Sequence, residues 1–322
     1  SLNVTLKEDN EQLEEVVVTA LGIKRAEKAL SYNVQKVDQS ELVRVKDANF
    51  VNSLNGKIAG VSINRSATGV GGATRVVMRG AKSIEGNNNA LYVVDGIPLF
   101  NTTMGATDSG IMGEGSAGTE GIADFNPEDI ESISVLSGPS AAALYGSSAA
   151  NGVILITTKK GVSGKVKVTY SNNTSFSSPL MMPKFQNIYG NREGELMSWG
   201  NKLETPTNYD PSDFFNTGVT ELNGFTMTTG TEKNQTYASI STTNSTGILP
   251  NNAYNRYNFS LRNTAKFCND KLTLDLGAQY IIQNNKNMVG SGQYFNPLVS
   301  LYLFPRGENF QEVQMYERYS ES

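Results

Sequence analysis

The most constraining feature of this chain is a strict two-residue alternation after Lys165. From Arg256 onward, Tyr257, Phe259, Leu261, Ala265 and Phe267 share one parity, and Arg256, Asn258, Ser260, Arg262, Thr264 and Lys266 share the other. From Leu272 the apolar parity is Leu272, Leu274, Leu276, Ala278, Tyr280 and Ile282, opposed by Thr273, Asp275, Gly277 and Gln279. Successive side chains of a strand point to opposite faces, so each run is a strand with one apolar and one polar face. Weaker copies occupy residues 236–242, 225–229 and 166–176. Each long segment runs about ten residues, carries aromatics near its ends and closes on turn residues such as Asn269-Asp270. Two architectures share this period. One is a transmembrane β-barrel wall, apolar toward lipid and polar toward the lumen. The other is a soluble antiparallel sheet with one wet face. The period alone leaves both open and slightly favours the soluble sheet, because the barrel signal of any single strand is weak.

Aromatic residues divide the chain. Of the 14 Tyr, 13 Phe and 1 Trp, only Tyr32, Phe50, Tyr92, Phe100, Phe125 and Tyr145 precede Lys165. A basic, Gly/Ser-rich joint at 159–164 separates the two regions. The first region mixes short strands with short helices. Residues 58–64, 75–79, 90–94, 130–136 and 153–158 are β-branched-rich runs bounded by Gly, Asn or Pro. Asn126-Pro127-Glu128-Asp129 reads as an N-cap, a first-turn proline and first-turn acids. Residues 140–145 form an Ala-rich helix stopped at Gly146. Asp95-Gly96, between apolar runs at 91–94 and 97–100, predicts a two-residue hairpin. The loops before Ala90 and after Phe100 must then lie together, at the end opposite that turn.

Several chemistries are excluded. The chain has no histidine, which removes Ser-His-Asp and Cys-His catalysis and most His-ligated metal sites. Its one cysteine, Cys268, allows no internal disulfide and no zinc cluster. Net charge is −4 and the pI about 5.2, so no nucleic-acid footprint is present. No apolar run approaches the ~18 residues of a membrane helix, and Ser1 reads as a mature or trimmed start without a signal peptide. Residues 113–118 match GxGxxG but follow no strand, and no P-loop occurs. Glu128, Asp129 and Glu131 are read as complementing a helix N-terminus, not as an acid/base pair. The expectation is therefore no enzyme, no cofactor and no metal. The segment 14–20 is a short strand former placed before the first compact region. It is either an ordinary edge strand or an extended segment free to add to another protein's sheet.

These motifs, in order, resemble a known family. Residues 13–20 (LEEVVVTA) look like the TonB box. Residues 56–64 (GKIAGVSIN), 76–80 (VVMRG), 83–84 (SI), 91–98 (LYVVDGIP), 126–136 (NPEDIESISVL) and 140–158 (SAAALYGSSAANGVILITT) resemble the plug signatures of TonB-dependent outer-membrane transporters, in the wording of the SusC/RagA subfamily. The resemblance implies an α+β plug domain of mixed short strands and helices, followed by antiparallel transmembrane β-barrel strands. It divides the chain into 1–9 (the end of a preceding small β domain), 10–26 (the TonB-box segment), 27–164 (plug) and 165–322 (first barrel strands). Large plugged transporters have about 22 strands, whereas about five are offered here. Open edges in lipid would cost several kcal/mol per unpaired group. The chain also ends Tyr319-Ser320-Glu321-Ser322, not on the aromatic residue typical of such barrels. It is therefore expected to be the N-terminal part of a longer protein.

The implied function is TonB-dependent import across the bacterial outer membrane. The implied partners are TonB with its inner-membrane energising complex, a SusD-like lipoprotein, outer-membrane lipid, and an oligosaccharide or peptide cargo. Glu15, Val16, Val17, Val18, Thr19 and Ala20 would meet TonB. Asn87, Asn88, Asn89, Asn101, Thr102 and Thr103 are the candidate substrate contacts. Their loops are rich in uncharged hydrogen-bonding groups, although Asn87, Asn88 and Asn89 equally suit turn geometry alone. The competing readings are a siderophore or cobalamin receptor and a non-transporting surface-binding β protein.

Overall fold

The computed structural model describes residues 16–18, 24–26, 34–44, 46–66, 69–83, 88–99, 103–104, 118–136, 139–195, 197–286, 290 and 296–310. The first region contains β1 (Val16–Val18), β2 (Lys24–Ala26), β3 (Val34–Asp38), α1 (Gln39–Arg44), β4 (Val61–Asn64), β5 (Arg75–Met78), β6 (Leu91–Val94), β7 (Ile97–Leu99), β8 (Thr103–Met104), β9 (Thr119–Glu120), β10 (Ile130–Leu136), α2 (Pro139–Tyr145) and β11 (Val153–Thr158). The second contains β12 (Gly164–Ser177), β13 (Gly218–Gly230), β14 (Asn234–Thr246), β15 (Ala253–Phe267) and β16 (Leu272–Lys286), followed by α3 (Pro297–Leu303).

The main sheet of the first region has the order β3-β10-β11-β6-β7. β11 and β6 run parallel and the other neighbours antiparallel. Both faces are covered. Ile133, Val135, Ile154, Ile156 and Tyr92 pack toward Leu42 of α1, Phe50, Leu54 and the β4–β5 hairpin. Val153, Leu155, Val93, Leu136 and Val34 pack toward Ala141 and Ala149. A sheet buried on both faces needs near-continuous apolar strands, which is why these strands appear in the sequence as β-branched runs. The Asp95-Gly96 hairpin forms as expected. Val94 pairs with Ile97 across the turn, and Asp95 (φ 49°) and Gly96 (φ 88°) both take the positive φ that such a turn requires. The Leu91 amide donates to Gly152 O (2.9 Å) and the Asp95 amide to Ile156 O (2.9 Å). The chain entering β6 therefore lies at the opposite end of the sheet from the turn.

Two local expectations shift. The strand expected at 58–64 begins only at Val61, because Ile58 sits in a turn after the Lys57 amide donates to Leu54 O (3.1 Å). Asn126 caps as read, accepting from the Glu128 amide at 3.2 Å, but it caps a single 3₁₀ turn, Pro127–Asp129. The chain enters β10 immediately afterwards.

β12 to β16 form an antiparallel meander in sequence order. One row of facing residues crosses all five strands on one face: Tyr170, Phe225, Ile240, Phe259 and Tyr280. Every member is exposed. The opposite face is polar, and in β14 and β15 it is buried against the first region. Arg256 is 1% exposed and Asn258 3%, against 45% for Tyr257 between them. In β14 the buried parity reads Tyr237, Ser239, Ser241, Thr243 and Ser245. The strands run 13–15 residues, longer than expected. Polar pairs such as Asn255–Asn284 continue the ladder past the apolar band. Among the described residues, no helix is long and apolar enough to cross a membrane.

Candidate functional site

The buried polar face of β14 and β15 meets the first region through a line of directed contacts. At the short-turn end, Arg262 Nη1 donates to Asp95 Oδ2 (2.8 Å), while Nε and Nη2 donate to Asp275 (2.9 and 2.8 Å). Lys160 Nζ reaches the same Asp275 at 2.9 Å. Asp95 also accepts from the Thr158 amide (2.9 Å) and hydroxyl (2.5 Å). One guanidinium thus clamps the Asp95-Gly96 hairpin to strand β16, using the bidentate fork that arginine offers a carboxylate.

Further along β15, Asn258 Nδ2 donates to Asp124 O at 2.5 Å. Arg256 Nη1 donates to Ala48 O (3.0 Å) and to Ala123 O, and Nη2 to Thr243 Oγ1 (3.4 Å). The Arg256 guanidinium carbon lies 5.9 Å from the Tyr254 ring centroid. Removing a charge from water is costly unless its donors find partners, and here backbone carbonyls of the first region take Nη1 and Thr243 takes Nη2, while Nε is buried with no hydrogen-bond partner. Two glycines permit the close approach. A Cβ on Gly71 (φ +79°) would fall on the Tyr254 ring, and one on wall residue Gly224 would fall on the Glu128 carboxylate.

Glu128 and Asp129 do not serve the helix-end role read from sequence, since only a 3₁₀ turn follows Asn126. Glu128 pairs with Lys46 and accepts from Ser171, with both ionic side chains under 10% exposed. Asp129 Oδ1 accepts from Tyr237 OH at 2.8 Å. Burial pushes the Asp129 carboxyl above the usual carboxylate range, opposed by hydrogen bonds from Ser239 and Tyr237. Burial likewise pushes the Lys159 ammonium down. Between the hairpin and the strands lies a cavity of about 690 Å³, whose lining includes Asp95, Glu131, Lys159, Lys160, Lys167 and Arg262.

The candidate residues read from sequence fall elsewhere. Val16, Val17 and Val18 form β1, paired antiparallel with β2. Glu15, Thr19, Ala20, Asn87, Asn101 and Thr102 lie outside the described residues, as do residues 1–9 and 113–117. Asn88 Oδ1 accepts from the Lys82 and Ser83 amides (2.8 and 2.9 Å), and its Nδ2 donates to Ser83 O (2.6 Å). Asn89 bridges to Val77, and Thr103 pairs with Glu120 between β8 and β9. Sequence reading missed Lys46, Glu128, Asp129, Tyr237, Arg256 and Asn258 as contact residues. The available signal was a charge or amide on the polar parity of an otherwise apolar strand. Among the described residues, no group of three ligating side chains can hold a metal ion.

Comparison with known proteins gives this geometry its family. Residues 26–153 match the TonB-dependent Receptor Plug Domain. The TonB-dependent receptor SusC of Bacteroides thetaiotaomicron is 32% identical over 294 residues, covering 89% of this chain and 28% of SusC. This is a TonB-dependent receptor plug of the SusC/RagA type, followed by strands of a barrel wall. The TonB-dependent receptor P39 of Formosa agariphila is 29% identical over 276 residues, 81% of this chain and 24% of P39. Among solved structures, the RagAB peptide importer in its open-open state superposes with a TM-score of 0.65 at 22% identity, over 86% of this chain and 33% of that one. The ferric enterobactin receptor of Pseudomonas aeruginosa gives 0.52 at 16%, over 84% and 36%. At these identities the structures show the shared fold alone. The chain spans under a third of the length of the curated relatives SusC and P39. The first sheet is the plug core, β12–β16 are wall strands, and the contacts above join plug to wall.

Proposed function

We propose that the full-length protein imports a nutrient across the bacterial outer membrane, driven by TonB. The observation that carries this reading is the two-faced wall: a polar face bonded to a plug and an apolar face turned outward across five strands. Lipid rewards an outward row of that extent, whereas soluble monomers rarely expose apolar patches beyond a few hundred Å². In this reading residues 1–9 close a preceding β domain, 10–26 carry the box, 27–164 form the plug and 165–322 begin the barrel.

That membrane has no nucleotide supply, so work must arrive by contact from the inner-membrane complex. Glu15, Val16, Val17, Val18, Thr19 and Ala20 offer a β-branched strand to an edge strand of TonB, and backbone hydrogen bonds carry the contact. A pull on this segment passes to β3, which among the described residues is an edge strand held in its sheet by β10 alone. A SusD-like lipoprotein caps the barrel and captures cargo. The cargo we favour is an oligosaccharide, supported by the SusC likeness and by the uncharged donors of the plug loops. Asn87, Asn89, Asn101, Thr102 and Thr103 are its proposed plug contacts, whereas the buried Asn88 is engaged by the Lys82–Ser83 backbone and serves the turn. A peptide is the second cargo, favoured by the likeness to RagAB. A siderophore is the third, on the likeness to a probable siderophore receptor of Acinetobacter baumannii.

The test is uptake by the full-length protein in cells. Val17→Pro removes a backbone donor from the box strand. It is expected to abolish growth on the cognate cargo while the protein keeps its membrane level. Normal uptake by that variant would end the strand-addition reading. In the same assay, alanine at Asn101, Thr102 and Thr103 leaves energisation intact and weakens cargo affinity by ~0.5–1.5 kcal/mol per lost hydrogen bond. Unchanged affinity would move the contacts to the wall or the lipoprotein.

A further inference from the structure

β1 and β2 form a two-stranded sheet of three pairs, Val16–Ala26, Val17–Arg25 and Val18–Lys24. This sheet is separate from the five-stranded plug sheet. A strand's peptide groups alternate between its two edges, and β2 takes one edge of β1. The other edge of β1 carries no strand among the described residues. A lone two-stranded ribbon is marginal in water, and a third strand is what gives such a sheet independent stability.

The two strands differ in what they offer a newcomer. β1 is Val-Val-Val, whereas β2 carries Lys24 and Arg25 in succession. Charged residues, lysine above all, are what proteins place on an edge to discourage further strand addition. β-Branched residues without charge invite it. The ribbon therefore has a guarded side and a receptive side, and the receptive side is the box.

We infer that Lys24–Ala26 is a backing strand for the TonB box. It holds Val16–Val18 extended before the partner arrives, and the partner's edge strand adds on the side away from β2, giving the order partner, β1, β2. Holding the segment extended in advance removes part of the ordering cost of binding. Occupying one edge also leaves a single register and orientation for the incoming strand. The inference rests on the strand-addition reading of the box and deepens it.

The experiment uses the full-length protein in detergent, with Cys268→Ser to remove the exposed thiol of this chain, and the isolated C-terminal domain of TonB as the probe. The pair V16C/A26C places two thiols on facing residues. The oxidised form is expected to bind the probe as tightly as the reduced form or about threefold tighter. Replacing residues 24–26 by three glycines, which lose the most freedom on ordering, is expected to weaken binding about three- to tenfold. Loss of binding on oxidation, restored by reductant, would mean that the partner displaces β2, and would overturn the inference. So would failure of the thiols to pair, or unchanged affinity in the glycine variant. Val17→Pro serves as the control. If it binds like wild type, strand addition itself fails, an outcome separate from any result on β2.

Discussion

The plug sheet β3-β10-β11-β6-β7 buries both of its faces in apolar side chains, while the wall sheet buries a polar face in its strands β14 and β15 and exposes an apolar row across all five strands. The strands of both sheets obey the same two-residue geometry. The difference lies in the surroundings each face meets. In the plug, Ile154 and Ile156 turn to one apolar layer and Val153 and Leu155 to another. In the wall, Arg256 and Asn258 turn to plug carbonyls, and Tyr257 and Phe259 turn outward. Burial and hydrophobicity are therefore separate properties in this molecule. A buried residue here is polar where its partner is a plug backbone, and an exposed one is apolar on the face that the proposed function turns to lipid.

The largest expected effect comes from inverting the wall. Phe259→Arg puts a charge into the outward row and should cost ~2–4 kcal/mol near mid-membrane, so the full-length barrel should fail to assemble. Arg262→Ala, on the opposite face, should leave assembly intact and loosen only the Asp95-Gly96 hairpin. Heat-modifiable mobility on gels checks both, and equal tolerance of the two changes would reduce the wall to an ordinary soluble sheet. Next in size is the plug–wall junction. Arg256→Ala strips charge-assisted bonds from Ala48 O and Ala123 O, with an expected loss of roughly 1.5–3 kcal/mol. Faster limited proteolysis of the plug in an assembled barrel is the readout.

The smallest effect is a pH dependence. The Asp129 carboxyl is raised by burial, so the folded protein holds that proton more tightly than the unfolded chain does. Its contribution to stability falls as pH rises through the raised value and returns on acidification, in the window just above the ordinary carboxylate range. Asp129→Asn keeps an acceptor for Tyr237 and removes the charge. It should flatten this slope in melting curves compared at mildly acidic and neutral pH. An unchanged slope would assign the dependence to another group.

Legibility in the sequence followed the range of the interaction. Asp95-Gly96 was readable because a turn's φ demands are met by its own residues. β15 and β16 were readable because their faces differ sharply in polarity. The plug strands were readable as apolar runs bounded by turn residues, and the box was placed by family resemblance. The junction was not readable. Arg256 meets Ala48 from 208 residues away and Tyr237 meets Asp129 from 108, and no local pattern encodes such distances. Glu128 and Asp129 misled because acids after an Asn-Pro cap suit a helix start, whereas the chain turns into β10 after one 3₁₀ turn. The wall strands also ran longer than their apolar bands, since backbone pairing continues where side chains become polar.

The central claim, that one face of β12–β16 meets lipid and the other meets the plug, is tested most directly by spin labels placed singly at residues 256 to 261 of the full-length protein in bilayers. Oxygen, which partitions into lipid, and a water-soluble nickel chelate report the two environments. The account predicts alternation. Positions 257, 259 and 261 should show high oxygen and low nickel accessibility, while 256, 258 and 260 should be shielded from both. High nickel accessibility at 257, 259 and 261 would contradict it.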